Sequence, residues 1–362
     1  MLTSLRIQNF RSLRNLKVEG LTRVSLLVGA NNTGKTSVLE AAELVLAGHH
    51  PSAIAWSPMR RGETSSHAEE GLQGELVEVA HLFSRHATEK PGVFRIEAIT
   101  PQEIFFEGRL KSGVGSTRVS AKTPVRGLSL RVDSPGAIEL ESDQFGPAVY
   151  DLAGRALSLD DLGLSIGSES YGDNRVGFIE TTSPGAAFLR DLWDGVVLTP
   201  EEESVTEVLR IIEPDIERIA ALSGSHHRRS DASMFVKLRD SEQRIPLGSM
   251  GEGIKRLMTL SLNLVHVAGG YLLVDEIDTG LHHSVMVKMW RLVTEAAKRL
   301  NVQVLATTHS LDCVRALASL YEEQQDLRDV ISVHRIERNA EHNVPYSADE
   351  LLIAAKHEME IR

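Results

Sequence analysis

The chain has 362 residues, a formal net charge of −11, 42% hydrophobic and 25% charged residues, and one cysteine, Cys313. That composition supports a sizeable buried core, in one large α/β domain with insertions or in two units. It excludes a disulfide framework, a multi-cysteine zinc site and a broadly basic nucleic-acid binder, and no apolar run approaches the roughly 18 residues of a membrane span.

The N-terminus lacks the charged-then-apolar layout of a secretory signal, so the expected compartment is the cytoplasm. The first 28 residues read as two strands. Leu5, Ile7 and Phe10 frame one apolar edge, and 24–28 is a buried run ending at Gly29. From Lys35 to about Ala47 the pattern turns helical, with Val38, Leu39, Ala42 and Leu46 on one side. Residues 48–74, rich in Gly, Ser, Pro and His, read as a loop. Short β-rich pieces at 93–97, 104–106, 128–132 and 138–140 predict a twisted antiparallel subdomain. Thr199 is a cap residue, followed by Pro200 at the first helical position and by Glu202 three residues after the cap. This opens a helical block through Val205, Leu209 and Ile212. Residues 223–230 form a polar loop. The last third alternates: helix 252–268, strand 271–274, helix 283–300, strand 302–307, helix 310–320, strand 331–337 closing the sheet, and a final helix capped at Ser347. Such alternation predicts a largely parallel sheet.

Four segments carry chemistry. Gly29-Ala-Asn31-Asn32-Thr33-Gly34-Lys35-Thr36, followed by Ser37, fits G-x-x-x-x-G-K-[ST] between a predicted strand and a predicted helix. Its backbone N–H groups and the helix N-terminus suit a phosphate; Lys35 would reach the β- and γ-phosphates and Thr36 would ligate Mg²⁺. The strand 271–274 ends in Asp275 and Glu276, which would respectively hold the Mg²⁺ shell and orient or deprotonate an attacking water. The loop around Ser249, Met250 and Gly251 opens an amphipathic helix and offers a second anion site. Residues 302–307 form a strand that runs out into Thr308 and His309, a candidate γ-phosphate or water contact.

In this order the four segments resemble the ATP-binding-cassette ATPase heads of the RecF/SMC class, and in particular the ATPase of the OLD (overcoming lysogenization defect) family and related stand-alone AAA-labelled prokaryotic ATPases. The opening Leu5-Arg-Ile-Gln-Asn-Phe-Arg-Ser-Leu13 is similar to that group's first strand and turn. Asp275-Glu-Ile-Asp278-Thr-Gly-Leu-His282 is similar to its Walker B and D-loop, and Thr307-Thr-His309-Ser310 to its switch histidine. The resemblance implies a single P-loop α/β head. Residues 1–47 and 246–362 would form the nucleotide-binding core, 75–181 an antiparallel β subdomain and 182–245 a mainly helical one. It implies ATP and Mg²⁺ as ligands, with Asp278 at the nucleotide-bearing interface, and an ATP-bound homodimer in which Ser249 and Gly251 of one subunit meet the nucleotide of the other.

Departures from the pattern shape the expectation. The signature loop reads Ser249-Met-Gly-Glu-Gly rather than Leu-Ser-Gly-Gly-Gln, and no Q-loop glutamine can be placed, Gln73 and Gln102 being the nearest options. No coiled coil separates Thr36 from Ser249, and the chain stops where the OLD ATPase part would end, so a separate effector such as a nuclease is expected to supply further chemistry. The leading expectation is a Mg²⁺-dependent ATPase whose dimer state switches a DNA-repair or anti-phage activity. A slow nucleotide-sensing scaffold and a transport ATPase are the alternatives, the latter disfavoured by the atypical signature. DNA binding stays open, and no membrane is expected. The pairs His49-His50, His226-His227 and His282-His283 do not read as metal sites, because adjacent side chains point apart; Arg60-Arg61 and Arg228-Arg229 read as solvated loop charge; Cys313 and Met250, Met258, Met286 and Met289 read as packing.

Overall fold

The computed structural model describes residues 1–48, 50–65, 76–84, 92–112, 135–152, 156–159, 161–162, 175–222, 233–357 and 359. His49, Gln73, His226-His227, Arg228-Arg229, the strand expected at 128–132 and the loop expected at 223–230 lie outside the described residues.

The central sheet follows from the alternation in the last third of the chain. Its order is Val176–Ile179, Tyr271–Val274, Gln303–Thr308, Val24–Val28, Ile331–Arg335, Val344–Tyr346. The first five strands are parallel and the last is antiparallel. Val344–Tyr346 corrects the expectation that 331–337 closes the sheet; this short edge strand carries Pro345, which breaks the strand signal and is tolerated only at an edge. Both faces of the sheet are covered, so Val24–Val28 and Gln303–Thr308 are buried along their whole length. On one face pack the helices Glu252–His266, His283–Arg299 and Leu311–Glu323; on the other lies Lys35–Leu46.

That last helix is buried almost all round, which forces its two carboxylates, Glu40 and Glu43, to find cations. Glu40 takes Arg11 (2.7 Å) and Arg61 (2.6 Å), and Glu43 pairs with Arg60. Burial pushes the Glu43 carboxyl up, against the pull of Arg60. Arg60 and Arg61 are therefore ion-paired rather than free loop charge, although Arg61 stays exposed. Arg60 ends a helix, Ala53–Arg60, inside the segment read as a loop, and Arg61 follows it; Pro58 within the helix hid the helical pattern, while Ala53, Ile54 and Ala55 bury its face.

A third N-terminal strand also escaped the pattern. Leu13–Glu19 returns antiparallel on Ser4–Phe10, but the burial order Leu13, Leu16, Val18 breaks strict alternation. The hairpin packs against the phosphate loop but does not join the parallel sheet. It forms one edge of a six-stranded antiparallel sheet with Val93–Ile99, Glu103–Ser112, Pro135–Ser142 and Ala148–Asp151. Conversely Val176–Ile179, expected within the antiparallel part, joins the parallel sheet beside Tyr271–Val274.

The stretch 182–245 is half helical and half β. Helices Ala186–Asp194 and Glu201–Leu209 are followed by a three-stranded antiparallel sheet of Ile216–Leu222, Ser233–Leu238 and Arg244–Pro246. Met234 and Val236 alternate inward, a signal diluted by the helix-compatible run before it. The helix starts one residue later than expected, at Glu201, with Pro200 as the cap residue and no side-chain cap bond; the Thr199 hydroxyl accepts from the Glu201 amide (3.2 Å) and Glu202 accepts from the Leu198 amide (2.8 Å).

Candidate active site

The phosphate loop joins the end of Val24–Val28 to Lys35–Leu46. Gly34 sits at φ 102°, and a Cβ there would lie 2.7 Å from Leu13 Cδ2, so both the turn and the hairpin beneath it require glycine. Asn32 is also left-handed (φ 62°). The buried Lys35 ammonium donates to the carbonyls of Gly29 (2.8 Å) and Ala30 (2.9 Å), and the Thr33 hydroxyl donates to Ala30 O (3.0 Å). Desolvation lowers the Lys35 pKa, opposed by Asp275 and Glu276.

Asp275 gathers hydroxyls from three elements. Thr36 donates to both of its oxygens at 3.0 Å, Thr307 to Oδ1 at 2.7 Å and Thr181 to Oδ2 at 3.3 Å. Thr307 also accepts from the Glu276 amide at 2.8 Å, locking the ends of two neighbouring parallel strands together. Glu276 has φ 46°, an unfavourable left-handed conformation for a side-chain-bearing residue that aims its carboxylate at the next strand end. There His309 Nδ1 lies 3.0 Å from Glu276 Oε1. Thr308 donates to Asp278 Oδ1 at 2.7 Å, and Ser310 caps the following helix by accepting from the Cys313 amide.

A cavity of about 830 Å³ opens over this constellation. Asn31, Asn32, Thr33, Gly34, Lys35, Thr36, Ser37, Asp275 and Glu276 line it, together with Thr307. Gly29 contributes its carbonyl from below. Asp278 is withdrawn onto Thr308 rather than facing the cavity. Ser249 and Gly251 are not brought in either. Ser249 lies in the exposed turn Leu247–Met250, and Gly251, at φ 95°, starts the helix Glu252–His266 with nothing within 4 Å of where a Cβ would stand. The neighbouring Gly248, Glu252 and Gly280 line a separate cavity of about 690 Å³.

Two residues that sequence reading passed over hold the site together. Arg256, 2% exposed, donates to the carbonyls of Glu180 (2.6 Å), Asp275 (2.6 Å) and Glu276 (2.7 Å). Burial lowers its pKa to about 10. Thr181 follows the edge strand Val176–Ile179 and brings its hydroxyl to Asp275, while Ser183 donates to Glu252 (2.7 Å) in the first turn behind Gly251. Only the segment's place beside the Walker B strand reveals it; Gln102 sits in an exposed turn of the antiparallel sheet, away from the cavity lining. His282 caps the helix His283–Arg299 by accepting from the Ser284 amide, and Cys313 is fully buried, as packing requires. No cluster of three His, Cys, Asp or Glu residues suited to a metal exists among the described residues.

A family model described as "AAA domain, putative AbiEii toxin, Type IV TA system" matches residues 24–312. The chain belongs to this family. An "ATP/GTP phosphatase" of Helicobacter pylori is 20% identical, covering 90% of this chain and 89% of that protein. The "DNA replication and repair protein RecF" of an Exiguobacterium species is 26% identical over 119 residues, 28% of this chain and 32% of that one. Among solved structures, an Smc head bound to the C-winged helix domain of ScpA superposes with a TM-score of 0.52 at 14% identity, covering 96% of this chain and 97% of that one. A Pyrococcus furiosus-derived complex of an Smc head with an extended coiled coil gives 0.51 at 12%, covering 99% of both chains. The fold of this AAA-family chain is therefore that of an ABC-type ATPase head. No helix among the described residues is long and apolar enough to cross a membrane.

Proposed function

We propose that this chain is a Mg²⁺-dependent ATPase whose ATP-bound homodimer switches a separate effector, such as a nuclease, in DNA repair or anti-phage defence. The observation that carries the reading is the split arrangement. Lys35, Thr36, Asp275 and Glu276 line one cavity, with His309 3.0 Å from Glu276, while the Ser249–Gly251 loop lies outside that lining and leaves room for a phosphate brought by another subunit.

The donor set around Asp275 is one carboxylate and three hydroxyls, all hard oxygen ligands that suit Mg²⁺ completed by phosphate and water. Thr36 and Asp275 would hold the ion, which when bound neutralises charge on the β- and γ-phosphate oxygens. The loop's backbone N–H groups cradle the phosphates, and Lys35 gives up its carbonyl partners to pair with the β- and γ-oxygens. Glu276 takes a proton from water as the water oxygen bonds to the γ-phosphorus and the bond to the ADP oxygen breaks. His309 sits 3.0 Å from that carboxylate and orients it. The name of the Helicobacter relative supports nucleotide hydrolysis, that of the RecF relative supports a setting in DNA repair, and the toxin–antitoxin wording of the family supports one in defence. Size-exclusion chromatography of Glu276→Gln with and without Mg-ATP tests the proposal: a dimer that accumulates only with ATP is expected, and a monomer under both conditions would overturn it.

A further inference from the structure

The cavity over the phosphate loop extends well beyond the groups suited to phosphate, and the sheet order sets its polarity. Asp275, Glu276 and Thr307 stand at the ends of the two strands on one side of Val24–Val28, whereas Ile331–Arg335 lies on the other side. A triphosphate whose γ end meets Asp275 and Glu276 therefore carries its sugar and base toward the Ile331–Arg335 side. There the cavity is walled by the hairpin, through Arg14 and Asn15, and by the turn 337–341 that follows the strand. This turn is fixed at both ends. The Ile336 amide donates to Val28 O (2.9 Å), the Ala340 amide to Glu337 O (3.3 Å), and the Lys17 amide to Glu341 O (2.8 Å). Asn339 takes the left-handed conformation within it (φ 61°), which asparagine tolerates. A Cβ on Gly29 would lie 2.5 Å from Ile336 O, so this wall begins directly against the phosphate loop.

We propose that the base of a nucleoside triphosphate lies against the 337–341 turn with the Arg338 guanidinium as its flat partner, and that the site holds different bases with similar affinity. This rests on the reading of the phosphate loop as a nucleoside-triphosphate site. Among the described residues no Phe, Tyr or Trp lines the cavity, and its one imidazole, His81, lies 3.1 Å from Glu78. A guanidinium plane is the flat surface that remains for a base to stack on. Arg11 and Arg61 are committed to Glu40 (2.7 and 2.6 Å). Arg338 is exposed, its side chain makes no hydrogen bond or ion pair among the described residues, and its neighbour Glu337 is taken by Arg335. Discrimination between bases requires buried polar groups that a wrong base leaves unpaired. Arg14, Asn15, Arg338 and Asn339 are all exposed, so water pairs whatever a given base does not.

Equilibrium competition against a fluorescent ATP analogue on the full chain, with ATP, GTP, CTP and inorganic tripolyphosphate as competitors, tests this. The three nucleotides should compete within about 10-fold of one another. Arg338→Ala should weaken all three by about 10-fold and leave tripolyphosphate unchanged. Arg338→Lys should behave as Arg338→Ala does, since lysine keeps the charge but not the plane. Both variants should melt with the wild type, because the residue is exposed. A preference for one base of about 100-fold or more would overturn the assignment. So would tripolyphosphate weakened by Arg338→Ala as much as ATP is, full nucleotide affinity in Arg338→Lys, or a loss that follows His81→Ala or Arg14→Ala in place of Arg338→Ala. Each of those outcomes leaves the phosphate-loop reading standing; a wild type that binds neither ATP nor tripolyphosphate would overturn both.

Discussion

The phosphate-loop end and the signature-loop end of this chain differ in how their polar groups are satisfied. At the first, Lys35, Thr36, Asp275, Thr307 and Glu276 bond to one another or to the loop's own carbonyls. At the second, Gly251 stands open, and the loop's ties run behind it, through Glu252 to Ser183 and through Arg256 to the backbone of Asp275. The closed end holds reactive groups in register before any ligand arrives. The open end presents its backbone to solvent at Gly251, the feature on which the proposal of a site shared between subunits rests. The link from Asp275 through Thr181 to Ser183 gives the two ends a common mechanical element.

The strongest way to break the comparison is at the closed end. Lys35→Ala removes the cation proposed to meet the β- and γ-phosphates in a partly dehydrated site, and turnover should fall by at least about 100-fold. The fold should survive, since the ammonium touches only two carbonyls; steady-state ATPase and a melting curve check both points. Glu276→Gln should slow hydrolysis by about 100-fold or more while ATP stays bound, read by single-turnover kinetics against equilibrium binding. Arg256→Met should weaken both ends together: it strands buried carbonyls at a cost of about 3 kcal/mol and frees the strand end carrying Asp275, so both melting temperature and turnover should drop. The mildest variant is Thr181→Val, which deletes one 3.3 Å bond worth about 1 kcal/mol. It should shift the Mg²⁺ dependence of ATPase by less than about 10-fold, and a larger shift would raise Thr181 to a direct ligand.

The closed end was largely legible in the sequence because its chemistry is local. An eight-residue phosphate loop and an apolar strand ending in two carboxylates declare themselves by spacing alone. The central sheet was legible from strand–helix alternation. What was missed depends on distant pairing. Leu13–Glu19 is a strand because Ser4–Phe10 lies beside it, and Ile216–Leu222 because Ser233–Leu238 does. Arg60 and Arg61 read as solvent charges until the burial of Glu40 and Glu43 on an all-round apolar helix called for partners. Arg256 and Thr181 belong to no motif; only the convergence of four segments on the Asp275 strand end gives them a part.

The central claim is that the nucleotide site is shared between two subunits, and mixing two inactive variants tests it most directly. Gly251→Asp is one choice for the open end, but φ 95° makes any side chain there strained, so Ser249→Glu, in the exposed turn just before it, brings the negative charge without that cost. Lys35→Ala and Ser249→Glu homodimers should each be inactive. In a mixed dimer one site collects both lesions and the other neither, so ATPase should reappear as folded, exchanging subunits are combined, to at most about half of the wild-type rate per mixed dimer. If both variants fold, heterodimers form and no activity returns, the two ends do not complete one site.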